Sequence, residues 1–313
     1  MEGRTRMNNE TKAPLTAEEA EFVKKMIGVE NLFVILSTRT ALPFVMCDPE
    51  TFDDQVLVFD KPENVHKALE ALKGENNPID VAVIHQKDRL NFFASLCTMG
   101  VNCVVFDAYS EAEERMQLDR MVKTPKGTTP DGMPWIENPA LFLTSMYFMQ
   151  EIARNVKKEE TPELTEMREE IVAHYSNANF IIIFNEKGQL PIMRFQNGDA
   201  YQPVFTDMFE ATKFKVDQPF KIGVVQAAKI PGLLSAEAKG IVINPRSVCL
   251  QLPIIRKITT ALASQAIFSL INNCFGINYT FSLWFFPNKP SGLMIKIRIK
   301  IKYTIASRYN ELP

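Results

Sequence analysis

The chain has 313 residues, 46% of them hydrophobic, which is apolar material for two ordinary domains with a core each. A formal net charge of -2 lacks the basic footprint that nucleic acid or an anionic membrane surface requires, so no nucleic-acid partner is expected. The five cysteines (Cys47, Cys97, Cys103, Cys249, Cys274) are odd in number and form no CxxC pair, which argues against a disulfide framework or a zinc site; no cofactor and no metal is expected.

Residues 1–14, MEGRTRMNNETKAP, are polar. The segment is expected to be disordered and carries no apolar stretch of the secretory kind, so the expected compartment is the cytoplasm. At Thr16, followed by Glu19 at the third helical position, a capping-box pattern opens a helix whose apolar face is Phe22, Val23, Met26 and Ile27. Three short segments rich in β-formers follow, Phe33 to Ser37, Leu42 to Cys47 and Gln55 to Phe59, each too short for a helix and therefore predicted as strands. After Asp60, Val65, Ala68, Leu69 and Leu72 recur at helical spacing, as do Leu90, Phe93, Ala94 and Cys97 further on. Predicted strands at Asp80 to Ile84 and Asn102 to Phe106 alternate with these helices. The order implies an α/β fold bordering on α+β, a mixed β-sheet with βαβ crossovers and flanking helices.

The pattern then repeats. Thr161 with Pro162 opens a second helix with Leu164, Met167 and Ile171 on one side, and strands and helices follow in the same sequence. Leu42-Pro43 recurs at Leu190-Pro191, Val58-Phe59 at Val204-Phe205, Pro78 at Pro219 and Gly100 at Gly240, with offsets of 148, 146, 141 and 140. Such drift is expected of a tandem duplication followed by short loop deletions. The expected organisation is a degenerate module over residues 15–107, a connector over 108–160, a second module over 161–253 and a tail over 254–313. The connector holds a Pro/Gly/Thr loop and a helix from Asn138-Pro139 that is apolar nearly all round (Leu141, Phe142, Leu143, Met146, Phe148, Met149). Such a helix needs cover on several sides; packing between the modules provides it, and a dimer interface is the alternative.

Over Asn179 to Pro253 the second module resembles the N-terminal domain of the SseB (enhanced serine sensitivity) family, through Leu190-Pro191, the string QPVFTDMFEA from Gln202 to Ala211, and GIVINP from Gly240 to Pro245 followed by Leu250-Gln251-Leu252. The first module departs from it, with Asp60 in place of the threonine and Phe106-Asp107-Ala108 in place of the Asn-Pro ending. The resemblance implies the fold of a bacterial module and no catalytic residues.

Candidate sites follow from position. Thr206 and its counterpart Asp60 precede helices, where a side-chain oxygen caps exposed N–H groups or a helix N-terminus holds an anion. His85 and its counterpart Gln226 end strands and precede helices, the edge at which open α/β sheets bind ligands, although a lone histidine is also an ordinary surface or capping group. With Phe205, Asp207 and Asn244 these residues form the candidate surface for an unknown protein or small-molecule partner. His66 and His174 fall on helices and suggest less. The run Asp48 to Asp54 is either a solvated acidic turn or a calcium or magnesium loop, without the glycine and regular spacing of an EF-hand. The segment KGTTPDG has no P-loop order, and GxSxG, HExxH and GxGxxG are absent. The expected function is therefore non-catalytic binding, with an enzyme or enzyme regulator using the His85/Gln226 edge as the alternative.

From Gln251 onward eight basic residues meet the single acid Glu311, which leaves residues 1–250 at a formal -9. Ile258 to Asn288 is uncharged and Ile295 to Tyr303 reads IKIRIKIKY. A frame artefact of A/T-rich codons, a membrane segment of about 20 apolar residues and a soluble hairpin all fit, so a membrane is expected as a partner only if this tail is genuine.

Overall fold

The computed structural model describes residues 13–123, 134–157, 159–214 and 220–254, all within one compact unit, Met1–Ile255. The tail readings and the loop KGTTPDG lie outside the described residues, as does Pro219.

Thr16 forms both halves of its capping box, accepting from the Glu19 N–H at 3.1 Å and donating its own N–H to the Glu19 carboxylate at 2.8 Å, and so starts α1 (Ala17–Gly28). Next come β1 (Asn31–Ser37), β2 (Leu42–Pro43), β3 (Val45–Cys47), β4 (Asp54–Phe59), α2 (Pro62–Lys73) and β5 (Ile79–His85). A single 3-10 turn leads into α3 (Arg89–Thr98), then β6 (Cys103–Phe106), β7 (Glu114–Gln117) and the short α4 (Leu118–Met121). In this first half β1 pairs antiparallel with both β5 and β4, β4 pairs parallel with β6, and β7 closes the edge antiparallel to β6. The parallel pair is joined through α2, β5 and α3, a crossover of the length that parallel strands require.

After α5 (Pro139–Arg154) and α6 (Pro162–Asn177), the second half runs β8 (Asn179–Phe184), β9 (Met193–Arg194), β10 (Ala200–Val204), α7 (Met208–Lys213), β11 (Lys221–Gln226), β12 (Gly240–Ile243) and β13 (Leu250–Pro253). Its main pairings match, β8 with β11 antiparallel, β10 with β12 parallel and β12 with β13 antiparallel, but they form sheets of four and two strands where the first half has one of seven. Even the thin link between β8 and β10, the bridge Ile181 to Phe205, stands where Phe33 pairs with Phe59 in the first half. The fold is α/β with mixed sheets.

Strand alternation sorts the core. In the first sheet Leu32, Val34, Val56, Val58, Val104 and Phe106 face α1, α3 and α5, and the same cluster of buried residues continues into α6 and into Phe180, Ile182, Val204 and Ile241 of the second half. On the other face Ile35, Leu57, Phe59 and Val105 lie under α2 through Val65, Ala68 and Leu72. The all-apolar helix α5 is buried at Leu141, Phe142, Met146, Phe148 and Met149 within the continuous cluster. It is also fixed by polar bonds to both halves. Gln150 pairs with the N–H and C=O of Val45 at 3.0 and 2.9 Å, the Tyr147 hydroxyl donates to Asp54 at 2.6 Å, and the Asn138 amide donates to the carbonyls of Asn179 and Thr206 at 2.7 and 2.8 Å.

Three expectations shift. Gly100 and Gly240 are not equivalent. In register terms Gly240 opens β12 where Cys103 opens β6, since Tyr201 pairs with Gly240 as Gln55 pairs with Cys103. Each is glycine for its own reason: Gly100, at φ +87, lies where a Cβ would meet the Pro139 carbonyl at 2.7 Å, and a Cβ on Gly240 would meet the Leu252 carbonyl at 2.1 Å. The helix caps also move by one residue. Asp207, not Thr206, caps α7 by accepting from the Glu210 N–H at 2.9 Å, and at α2 the cap position is Lys61, which has no side-chain oxygen to offer. Pro62 at the start of α2 eases this, because it has no N–H to satisfy. Finally, residues assigned to the connector contribute β7 to the first sheet.

Candidate ligand-binding site

Of the residues proposed from sequence, four come together and are sealed. Phe205, Thr206, Asp207 and Asn244 are each at most 1% exposed. The Thr206 N–H donates to the Asn244 side-chain oxygen at 3.0 Å, the Asn244 amide donates to the Thr206 hydroxyl at 2.8 Å, and that hydroxyl donates to Asp207 at 2.8 Å. Ser247 extends the chain to Glu210 at 2.6 Å. Burial pushes the Asp207 carboxyl up, against the lowering effect of the Glu210 N–H. This network joins the end of β12 to the start of α7, with the Asn244 backbone at φ 46, so its polar groups are spent on the fold.

His85 and Gln226 are exposed at strand ends and occupy matching registers, opposite Asn31 and Asn179 respectively. The His85 Nδ1 lies 3.1 Å from the Asn31 side-chain oxygen. No side-chain hydrogen bond joins His85 or Gln226 to the Thr206 network, although Asn179, opposite Gln226, shares the Asn138 amide with Thr206 through its carbonyl. His66 and His174 sit on α2 and α6, each beside a glutamate four residues away.

A better-formed site lies elsewhere, on the α2 face of the first sheet. Helix α2 has 12 residues, a length of about 18 Å, and packs on β1, β4 and β5. The face offered by β3, β6, β7 and the start of β4 extends past it. There a cavity of about 420 Å³ opens over Met46, Leu57, Val105 and Ala108, a size typical of small-molecule sites. Its walls are the turn after β3, with Asp48 and Glu50, and the turn before β7, with Tyr109 and Glu113.

The wall is held by charge. Asp48, 5% exposed, accepts from the N–H groups of Glu50 and Thr51 at 2.9 and 3.0 Å and from the Arg115 guanidinium. These N–H groups, and then Arg115, hold its carboxyl down at about 2. The same guanidinium donates to Glu113 at 2.9 Å, and Glu113 in turn accepts from the Tyr109 N–H at 3.1 Å, with Tyr109 at φ 64. The acidic run noted in the sequence is thus an asparagine-type turn closed by an arginine from β7, which the sequence reading did not include. Among the described residues no group of three or more His, Cys, Asp or Glu is arranged to hold a metal ion.

At the floor stands Gln55, 7% exposed, with its side-chain carbonyl oxygen buried and unpartnered. It occupies a core position of β4, in step with Leu57 and Phe59 and opposite Met46 and Cys103. A polar residue in phase with a buried apolar face was the sequence signal that could have marked it. Cys47 also lines the cavity, but burial and the charges of Asp54, Asp48 and Asp53 push its thiol up, so it stays protonated and a weak nucleophile. Burial likewise pushes Cys103 up to about 11. The arrangement offers a ligand an apolar bed and an acidic rim.

Comparisons with known proteins add no identity. No protein-family model matches the chain, and no curated protein matches it. Among solved structures, Tic22 from Plasmodium falciparum is 12% identical, over 82% of this chain and 99% of that one, at a TM-score of 0.18. Anabaena Tic22, described as a protein-transport protein, is 9% identical, over 68% of this chain and 83% of that one, at a TM-score of 0.19. TM-scores this low establish neither fold nor function.

Proposed function

We propose that the chain is a non-catalytic binding protein of the SseB N-terminal-domain type, bacterial and cytoplasmic, in which a tandem duplication produced the two halves and the uncovered end of the first half's sheet receives the ligand. The duplication is supported by the shared pairing scheme, down to the bridge from β8 to β10. One observation carries the binding assignment: a cavity of about 420 Å³ in which an apolar bed of Met46, Leu57, Val105 and Ala108 meets an acidic rim. The raised thiol of Cys47, the cysteine that lines the cavity, supports a binding role over nucleophilic chemistry there.

The test is a metabolite panel run on the full-length chain, with thermal shift as the first readout and the methionine methyl NMR signals, Met46 among them, as the second. Binders are expected to raise the melting temperature and to perturb Met46 without being turned over. Turnover of any compound, or binding that leaves the Met46 signal untouched, contradicts the assignment.

A further inference from the structure

We propose that the outer edge of β11 pairs with the same strand of a second copy of the chain, antiparallel about a two-fold axis at Val224, so that the β8–β11 sheet runs on through both molecules. This interface is separate from the cavity and does not depend on it.

Backbone direction fixes what the edge offers. The Ala227 N–H donates to the Ala178 carbonyl, and Ile181 exchanges both its hydrogen bonds with Phe205 on the far side of β8. With Phe180 opposite Val225 and Ile182 opposite Gly223, the residues of β11 that bond to β8 are Lys221, Gly223 and Val225. Ile222, Val224 and Gln226 point their N–H and C=O groups the other way, and among the described residues no strand pairs with that edge. Because Gln226 matches His85, Lys221 and Ile222 match Asp80 and Val81 of β5. There the outward Val81 N–H is taken by the Asp80 carboxylate at 2.8 Å, and Val81 packs on the cluster beneath α2. A charge turned in on an edge strand is one way sheets keep further strands from adding. Lys221 has no acceptor to give, and Ile222 and Val224 are left 41% and 38% exposed.

A row of unpaired N–H and C=O groups is completed by another extended strand, and the sequence of β11 fits itself. About an axis at Val224, Val224 meets Val224 and Ile222 meets Gln226 of the second copy. Outward residues thus meet outward residues, so each pair exchanges both of its hydrogen bonds. Lys221, the one charged residue of the strand, falls opposite Ala227, and no like charges face each other. Ile222 and Val224 of both copies then share one face with Ile183 and Ile181, their cross-strand neighbours. Residues 1–250 carry a formal -9, so two copies repel over much of their surface, whereas β11 has no acid and lets them meet. Edges of six residues bury less than the roughly 1,200 Å² at which stable interfaces begin, so the dimer is reversible and forms at high concentration.

Sedimentation equilibrium and NMR-detected amide exchange on the full-length chain, from about 10 μM to about 1 mM, test the pairing. The average mass is expected to rise from monomer toward dimer. Over the same range the amides of Ile222, Val224 and Gln226 gain protection, while those of Gly223 and Val225, bonded to β8, are protected throughout. Lys221→Asp, which copies the Asp80 block onto this edge, is expected to weaken association about tenfold or more and to leave the melting temperature at low concentration unchanged. Val224→Pro, which removes an outward donor that β8 does not use, is expected to weaken it likewise. A chain that stays monomeric overturns the proposal, as does a dimer whose three outward amides still exchange freely. Protection of those amides that is independent of concentration also overturns it, because something other than a second copy then holds the edge. Association unchanged in Lys221→Asp is equally decisive against it, whether or not Val224→Pro folds.

Discussion

Asp107 and Asn244 occupy the same left-handed turn, at φ 50 and φ 46, each donating its N–H to the carbonyl of the preceding parallel strand, Val58 or Val204. In the second half the asparagine finds Thr206 and both are satisfied. In the first half the partner is Asp60, and each of the two carboxyls has a buried oxygen without a partner. Burial, with the negative charge of Asp60 adding to it, pushes the Asp107 carboxyl above its ordinary 3.8, although a hydrogen bond from Asn64 opposes the shift. The folded chain therefore holds this proton more tightly than the unfolded chain does. The contribution to stability is present below pH 3.8 and is lost as pH rises through the raised value. Asp107→Asn, which removes one of the two facing acids and offers Asp60 an amide donor, is expected to stabilise the chain at pH 7 by about 1 kcal/mol. Its benefit should shrink toward pH 3.8. Urea denaturation of the two proteins at both pH values measures this, and a variant no more stable than the parent at pH 7 refutes the account. The sequence had marked Asp60 as a candidate helix cap and, with Asp107, as a departure from a family pattern. That both are acids turned toward one another depends on register, which one sequence does not state.

At the level of elements, what was legible was what is local. The opening of α1 could be read from Thr16 and Glu19 because the capping box is completed within four residues. Strand β7 could not be read, because in Glu-Arg-Met-Gln only Met116 is buried and the other three residues face solvent at the sheet edge. The candidate cavity was illegible for the same reason. It is assembled from β3, β4, β6 and β7, and only the phase of Gln55 within β4 hinted at it. The two glycines give the matching lesson about repeats, since they looked like one anchor and are two separate steric necessities. Gly240→Ala forces a methyl into the β12–β13 ladder, where the Leu252 carbonyl would lie 2.1 Å away. Overpacking of this kind costs about 3 kcal/mol, and the expected outcome is a lower melting temperature with selective loss of amide protection in β13. Protection lost evenly along the chain would contradict the local origin.

For the whole molecule, the organising element is α5. Its apolar residues belong to a cluster of buried side chains that continues from the inner face of one sheet to that of the other, and Asn138 and Gln150 bond it to the backbone of each half. Met146, 1% exposed, lies in this cluster. Met146→Ala is expected to cost about 3 kcal/mol and to lower amide protection in β4 and β10 alike; a loss confined to one half would mean that the halves unfold separately. Charge and composition were readable at this scale, and so was the need to cover α5, whereas the shared core needed coordinates. The position of α5 also bears on biosynthesis. A ribosome releases β1 to β7 before it has made α5, so the part of their inner face that α1 and α3 leave uncovered waits in the open until residue 154 has left the exit tunnel. Nascent chains halted before that point should be chaperone clients, and a pause in translation just upstream of Pro139 would be more hazardous to this protein than one after Arg154.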